Sequence, residues 1–156
     1  MKGEVFYRDG LRFACKRCSV CCRHESGFVF LSGNDLSVLA SAFNMSAEVF
    51  TAIYCRWVPS EDGYSENLSL KEIPLGIDNF DCIFWKGGCS VYESRPLQCK
   101  TFPFWDFVLA DEGSWNTAAT QCPGMGQGKL YPLSAIQAYL KAQCDHPIIK
   151  RTNHER

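Results

Sequence analysis

The sequence has no long hydrophobic run. None of its apolar stretches approaches the roughly 20 residues that cross a bilayer as a helix, so no membrane association is expected. An excess of charge is missing too: 16 lysines and arginines face 17 aspartates and glutamates, for a formal net charge of −1. Holding nucleic-acid phosphates requires a basic face. Only residues 16–23 cluster basic side chains, which leaves nucleic acid the least favoured partner. Internal repeats and low-complexity tracts are absent. No G-x-S-x-G elbow points to serine chemistry, and no local signature pairs a cysteine with a histidine for proteolysis. Gly124-Met125-Gly126-Gln127-Gly128 lacks the strand–GxGxxG–helix setting of a phosphate loop and reads as a turn shaping the approach to Cys122. The first twelve residues carry charges throughout and no apolar stretch of leader length, so a cytoplasmic location is expected.

What the chain does have is cysteine. Of 156 residues, 46% hydrophobic and 21% charged, ten are cysteines. Length and composition fit one globular domain. Ten cysteines are either disulfides of a secreted domain or thiolates holding metal in a reducing compartment. The missing leader favours the second, and so does the spacing. Cys15, Cys18, Cys21 and Cys22 form C-x-x-C-x-x-C-C. Adjacent cysteines bridge each other only with strain, so this crowding suits metal.

The pattern along the chain predicts an α+β fold: a small single domain of short helices, β-hairpins and irregular cysteine-bearing loops. Residues 1–14 contain a short strand, and Gly27–Leu31 reads as a buried one. Ser32 to Asp35 cap a helix carrying Leu36, Leu39, Ala40 and Phe43, which Asn44 ends. Ser46 caps a second helix with Val49, Phe50, Ile53, Tyr54 and Trp57 on its apolar face, stopped by Pro59. Residues 60–67 are a polar loop, and Leu68, Leu70 and Ile73 alternate as a strand. Cys82–Trp85 and Cys89–Tyr92 flank Lys86-Gly87-Gly88 as a hairpin. A short helix starts at Pro96 and carries Cys99. A second hairpin is expected to turn at Asp111-Glu112-Gly113. A last helix over Leu133–Cys144 turns Leu133, Ile136, Leu140 and Cys144 to one side. The expected organisation is a metal-binding domain over 1–145 and a polar tail over 146–156 that frays.

Eight cysteines follow a local ligand logic. Cys15, Cys18, Cys21 and Cys22 come from one stretch, Cys82 and Cys89 from the sides of a hairpin, Cys99 from a short helix, and Cys122 from just before a proline. Eight sulfurs suffice for two four-sulfur sites, or for one cluster with spare thiols. Cys144 reads as a small hydrophobe packed in the core. Cys55 falls off its helix's apolar face and has no neighbouring cysteine. His24 is a weaker ligand than the better placed sulfurs. Thiolates select zinc, copper(I) or iron–sulfur clusters. C-x-x-C-x-x-C with Cys122-Pro123 resembles a ferredoxin run, while Cys15/Cys18 with Cys82/Cys89 would make a zinc set, so spacing leaves zinc and iron both open. The vicinal pair is awkward for one tetrahedral zinc. Lys16, Arg17, Arg23, Arg95 and Lys100 lie close in sequence and can offset thiolate charge. Glu93 and Arg95 are expected to pair and fix the turn between Cys89 and Cys99. Phe102, Phe104, Trp105 and Phe107 read as core, with a cleft lining as the alternative.

Cys15-x-x-Cys18-x-x-Cys21-Cys22, Cys82-Ile83-Phe84-Trp85, the run from Cys89-Ser90-Val91-Tyr92 through Arg95-Pro96-Leu97-Gln98-Cys99 to Phe104, and Cys122-Pro123-Gly124 resemble the YkgJ-like, CxxCxxCC-type family of zinc- or iron-chelating domains. The resemblance spans roughly residues 13–130 and implies the same eight ligands. Lys100 stands where arginine is common in that family, and Trp85 where leucine is frequent. A similar motif in a flagellin lysine N-methylase is associated with an iron–sulfur cluster. The resemblance thus implies a metal ion as the first partner, zinc or iron as cofactor with a 4Fe-4S cluster as one form, and no assigned reaction. Two functions follow: a domain with structural metal that buffers metal or binds a protein partner, or an iron–sulfur protein with a redox or methylase-like modification role.

Overall fold

The computed structural model describes residues 3–152 and 154. In chain order the elements are β1 (Leu11–Phe13), α1 (Gly33–Ala42), α2 (Ala47–Tyr54), β2 (Cys55–Pro59), β3 (Ser65–Leu70), β4 (Glu72–Gly76), β5 (Asn79–Cys82), α3 (Leu97–Thr101), α4 (Glu112–Ala119), β6 (Lys129–Tyr131), α5 (Leu133–Asp145) and β7 (Lys150–Thr152). Single tight helical turns occupy Val20–Cys22 and Tyr92–Ser94. The strands form three small antiparallel sheets, β1-β6, β2-β3-β7 and β4-β5, so the fold is α+β as expected. Contacts divide the chain into two compact units, Met1–Val20 with Thr101–Asp145, and Cys21–Lys100 with His146–Arg156.

The second unit is built on locally encoded helix starts. The Ser32 hydroxyl accepts from the Asp35 N–H, and Asp35 answers with its carboxylate to the Ser32 N–H, a reciprocal capping box that opens α1. Asn44, in the left-handed region at φ 52°, follows the helix's last turn. Ser46 caps α2 through the Val49 N–H. Leu39, Ala40 and Phe50 enter a core with Leu31, Cys55, Leu68, Leu70, Phe84 and Val91. The rings of Phe43, Phe50, Tyr54 and Phe84 lie 4.9 to 6.1 Å apart. Of these, Phe50 and Phe84 are buried, and each such ring contributes about 1.5–3 kcal/mol.

Three expectations for this unit need correction. The second helix stops at Tyr54, not at Pro59, because Cys55–Pro59 pairs with β3 from Cys55↔Leu70 to Pro59↔Glu66. That leaves Val49 and Ile53 about half exposed and only Phe50 of the helix buried. The polar loop ends at Tyr64, since Ser65–Leu70 is a strand in which Glu66 and Asn67 are buried. Nor does the chain fray from His146: β7 pairs with β3, and Arg151 both binds Glu66 at 2.7 Å and stacks on Trp57. Residues 153, 155 and 156 of the expected tail lie outside the described residues, as do residues 1 and 2 of the N-terminal stretch. Gly27–Leu31, expected as a buried strand, forms no regular strand and buries only Leu31 fully, but it joins β3 through Leu31 N–H to Leu68 O and Leu70 N–H to Val29 O.

In the first unit β1 pairs with β6, which begins directly after the glycine-rich turn and for which no strand was expected. Phe104 is 1% exposed and sits among Trp115, Tyr131 and Tyr139, with ring centroids 5.0 to 6.1 Å away. Phe102 and Trp105 pack against this core, whereas Phe107 is 70% exposed. The hairpin expected around Asp111 is a helix. Asp111 accepts from the Ser114 N–H at 2.7 Å, which makes it the N-cap of α4, and Trp115 on the first turn is buried. No single described helix is long and apolar enough to cross a membrane. The bent pair α1–α2, 90° apart, reaches that length only jointly and buries Leu39, Ala40 and Phe50 in its own unit's core.

Candidate metal centre

Five of the eight expected ligands belong to the second unit, and backbone pairing draws their segments together. Cys21 and Cys22 occupy the helical turn Val20–Cys22. Immediately after them the chain locks onto β5: the His24 N–H donates to Phe80 O at 2.7 Å, the Phe80 N–H returns to His24 O, and Arg23 pairs with Asp81 at 2.8 Å. His24 adopts a φ of 79°, a strained conformation for a non-glycine residue, held by that pairing. Since β5 ends in Cys82, the lock places the vicinal pair beside Cys82.

From Cys82 the chain turns at once. The Trp85 N–H closes on Cys82 O at 2.8 Å, and the Phe84 N–H donates to the Cys82 sulfur. A backbone donor aimed at sulfur stabilises the thiolate. Gly87 and Gly88, at φ 68° and 150°, carry the turn back to a single bridge between Trp85 and Cys89. The expected hairpin is therefore a tight turn with one bridge, its return leg held by Ser90 donating through N–H and hydroxyl to Phe84 O. Cys99 is carried by α3, whose first N–H, that of Leu97, donates to the Asp35 carboxylate at 2.9 Å. Gln98 clamps the same helix to Phe28 and Phe30.

These thiols lie close enough to shift one another's ionisation. The Cys21 and Cys22 sulfurs lie 3.8 Å apart. Hydrogen bonding from Cys22 lowers the Cys21 thiol to about 7, against burial and with help from the Arg95 charge. Cys22, which keeps the shared proton, is pushed far up by that same bond, then by burial, then by Cys21, Cys82 and Cys99. Burial raises Cys99 first, and the charges of Cys82, Cys21 and Cys89 raise it further, with Arg95 opposing. Burial also raises Cys82, partly offset by the Phe84 N–H. A cluster in which each thiolate disfavours the next needs a cation to ionise fully, and soft sulfur donors fit zinc or iron. Among the described residues, no three His, Cys, Asp or Glu side chains are yet arranged to hold an ion.

Arg95 is the cation on hand, though not as expected. In place of an ion pair with Glu93, its Nε donates to Tyr92 O at 2.9 Å and its guanidinium stacks 3.7 Å from the Tyr92 ring centre. Arg23 was expected only as a counter-charge. Its stack on Trp85, 3.8 Å from the ring centre, and its bond to Asp81 are contacts that spacing does not announce.

The first unit holds Cys15 and Cys18, both exposed, and Cys122, half-buried. The segment ending at Ala14 runs against residues 124–126, with Ala14 N–H to Gly124 O at 3.1 Å and Gly126 N–H to Arg12 O at 2.8 Å. A Cβ on Gly124 would meet Ala14 O at 2.1 Å, so only glycine permits this approach. The pairing sets Cys15, one residue past Ala14, near Cys122, two residues before Gly124.

The two remaining cysteines exchange their expected places. Cys55 is 5% exposed in the core, where burial, against the Lys71 charge, lifts its thiol to about 11. Cys144 is exposed on α5. His24 is exposed, and its described contacts are those of its backbone. All ten cysteines are free thiols.

A family model described as CxxCxxCC, "Putative zinc- or iron-chelating domain", matches residues 14–123, which include all eight of the expected ligands. No solved structure matches the chain.

Proposed function

We propose, since the chain belongs to the CxxCxxCC family of zinc- or iron-chelating domains, that it holds its metal as a mononuclear, all-thiolate centre. Cys21 and Cys22 supply two sulfurs, and Cys82, Cys89 and Cys99 are the source of the other two. The observation behind this reading is the 3.8 Å between the vicinal sulfurs. Two thiolates on one tetrahedral ion with metal–sulfur bonds of about 2.3 Å stand about 3.8 Å apart. In a 4Fe-4S cluster each iron takes one protein sulfur, so neighbouring cysteines have to diverge further. Adjacency, awkward as it looks in the sequence, suits one ion.

Four thiolates on a divalent ion leave a charge of about −2, which Arg95 partly offsets. Cys15, Cys18 and Cys122 are the further proposed ligands, held in the first unit. The role is structural chelation: the metal ties together segments from distant parts of the chain, so that binding energy adds to folding energy. A reducing cytoplasm keeps such thiols available, and the folded domain then buffers metal or presents a surface to a protein partner.

The test is metal and acid-labile sulfide analysis of protein purified without oxygen. One or two zinc or iron ions per chain and no sulfide are expected. About four iron with equal sulfide and absorption near 400 nm would replace this reading with that of a redox or modification protein carrying a 4Fe-4S cluster. Absence of any bound metal, with thiols still reduced, would refute both.

A further inference from the structure

The turn between Cys82 and Cys89 contains a hydrogen-bond donor with nothing to donate to. Trp85 closes that turn through its backbone, bonding Cys82 O and bridging Cys89. Arg23, the residue after Cys22, covers one face of the indole at 3.8 Å and is itself held by Asp81. The indole thus lies under the residue that follows Cys22, while its own backbone is tied to Cys82 and Cys89. Its Nε1–H is buried and meets no acceptor among the described residues.

An indole nitrogen can only donate, and burying a donor without an acceptor forfeits its hydration with no return. A phenylalanine at this place would still stack under Arg23, though less strongly than an indole, and would bury no polar atom. Cys82 and Cys89 stand at the two ends of this turn, and a metal-bound thiolate there, with lone pairs beyond the one it gives to metal, is a stronger acceptor than a thiol. Donors around ligating atoms fix ligand orientation and raise metal affinity.

We infer that Trp85 is a positioning residue of the metal centre, its indole Nε1–H donating to a metal-bound thiolate of Cys82 or Cys89 while Arg23 holds the ring from one face. This rests on the reading that those cysteines bind metal.

Cobalt(II) serves as the probe, because its thiolate charge-transfer band reports electron donation from sulfur. Wild type and Trp85→Phe are titrated with cobalt(II) and back-titrated with zinc(II). The variant is expected to bind roughly tenfold more weakly, with its charge-transfer band moved to lower energy as sulfur loses the hydrogen bond. The melting of its metal-free form should match wild type. Equal affinity and an unmoved band in the variant overturn the role of Trp85 and leave the metal site standing. Failure of the wild type to take up either ion overturns the metal site and, with it, the role of Trp85. Should Trp85→Phe not fold, the wild type answers alone by NMR. Its Trp85 indole proton should move downfield and gain exchange protection on adding zinc(II), and an unmoved resonance overturns the inference.

Discussion

Replacing Asp35 by alanine tests how the ligand-bearing helix α3 is held. One carboxylate oxygen accepts from the Ser32 N–H at 2.9 Å and the Ser32 hydroxyl at 2.8 Å, the other from the Leu97 N–H at 2.9 Å. The residue is 8% exposed. Leu97 opens α3 two residues before Cys99, so one side chain closes the cap of α1 and accepts from the first N–H of the next ligand helix. Loss of the cap contact costs about 1 kcal/mol. Loss of the charge-assisted bond from the Leu97 N–H costs about 1–2 kcal/mol more. The two sum to about 2–3 kcal/mol. At about 2–4 °C per kcal/mol for a chain of this size, Asp35→Ala should melt about 4–12 °C below wild type. Asp35→Asn, which keeps one acceptor oxygen, should lose about half as much. Thermal and urea unfolding of the metal-free protein measures the first effect, and the half-life of bound metal against a chelator measures the second. A variant within about 0.5 kcal/mol of wild type refutes the bridging role. A destabilised variant that releases its metal no faster refutes the link between Asp35 and Cys99.

Gly124→Ala drives a Cβ to 2.1 Å from Ala14 O, a backbone atom that cannot swing away, and should cost about 2–3 kcal/mol in a urea melt. Gly126→Ala, with a left-handed φ of 79° but nothing within 4 Å, should cost only about 1 kcal/mol, and the reverse order would contradict the close approach. Thiol labelling of the metal-loaded protein should show one fast cysteine, the exposed Cys144, eight more after chelation, and the tenth, Cys55, only in denaturant. Fast labelling of Cys55 in the folded chain contradicts its burial. Burial alone would raise the Glu72 carboxyl, but bonds from the Ser26 hydroxyl and the Gly27 N–H, together with Arg56, hold it below the usual carboxylate range. Its contribution is therefore full above the ordinary glutamate value of about 4.3 and fades as pH falls through the lower folded value. The stability gap between wild type and Glu72→Gln should shrink between about pH 6 and pH 3, and a constant gap contradicts the assignment.

Features set by a few adjacent residues were readable from the sequence. Ser32 with Asp35, and Ser46 before Val49, encode helix starts through side-chain acceptors three residues from their donors. Features decided at a distance were not. Asp111-Glu112-Gly113 serves equally as a hairpin turn or as a helix start, and burial of Trp115 against Phe104 favours the helix. Lys150-Arg151-Thr152 has the composition of a loose end, yet Arg151 finds a buried carboxylate 85 residues away in Glu66. Cys55 was misplaced by one wrong period. On a helix continued to Pro59 it leaves the apolar face, but on a strand it alternates with Arg56 and shares a side with Trp57. Cys144 shows the converse, since a helical position in line with buried Ile136 does not ensure that the core reaches the helix's last turn.

Which cysteines to consider was legible because ligand spacing is a local property. How they meet was not. Cys22 reaches Cys82 because residues 23 and 24 pair with residues 81 and 80, and Cys99 is fixed by an aspartate whose capping role alone is visible in the sequence. The proposed ligands contribute little of this scaffold's own packing: Cys82 and Cys89 lie at the margin of the second unit's core, and Cys21 lies on the surface. Hydrogen bonds from elsewhere thus bring together sulfurs whose thiolates would repel one another, before any metal rewards their proximity. Substitutions at Asp35, Arg23 and Asp81 should consequently weaken metal binding while leaving every proposed sulfur ligand in the chain, and this separates an assembled site from a mere abundance of cysteine.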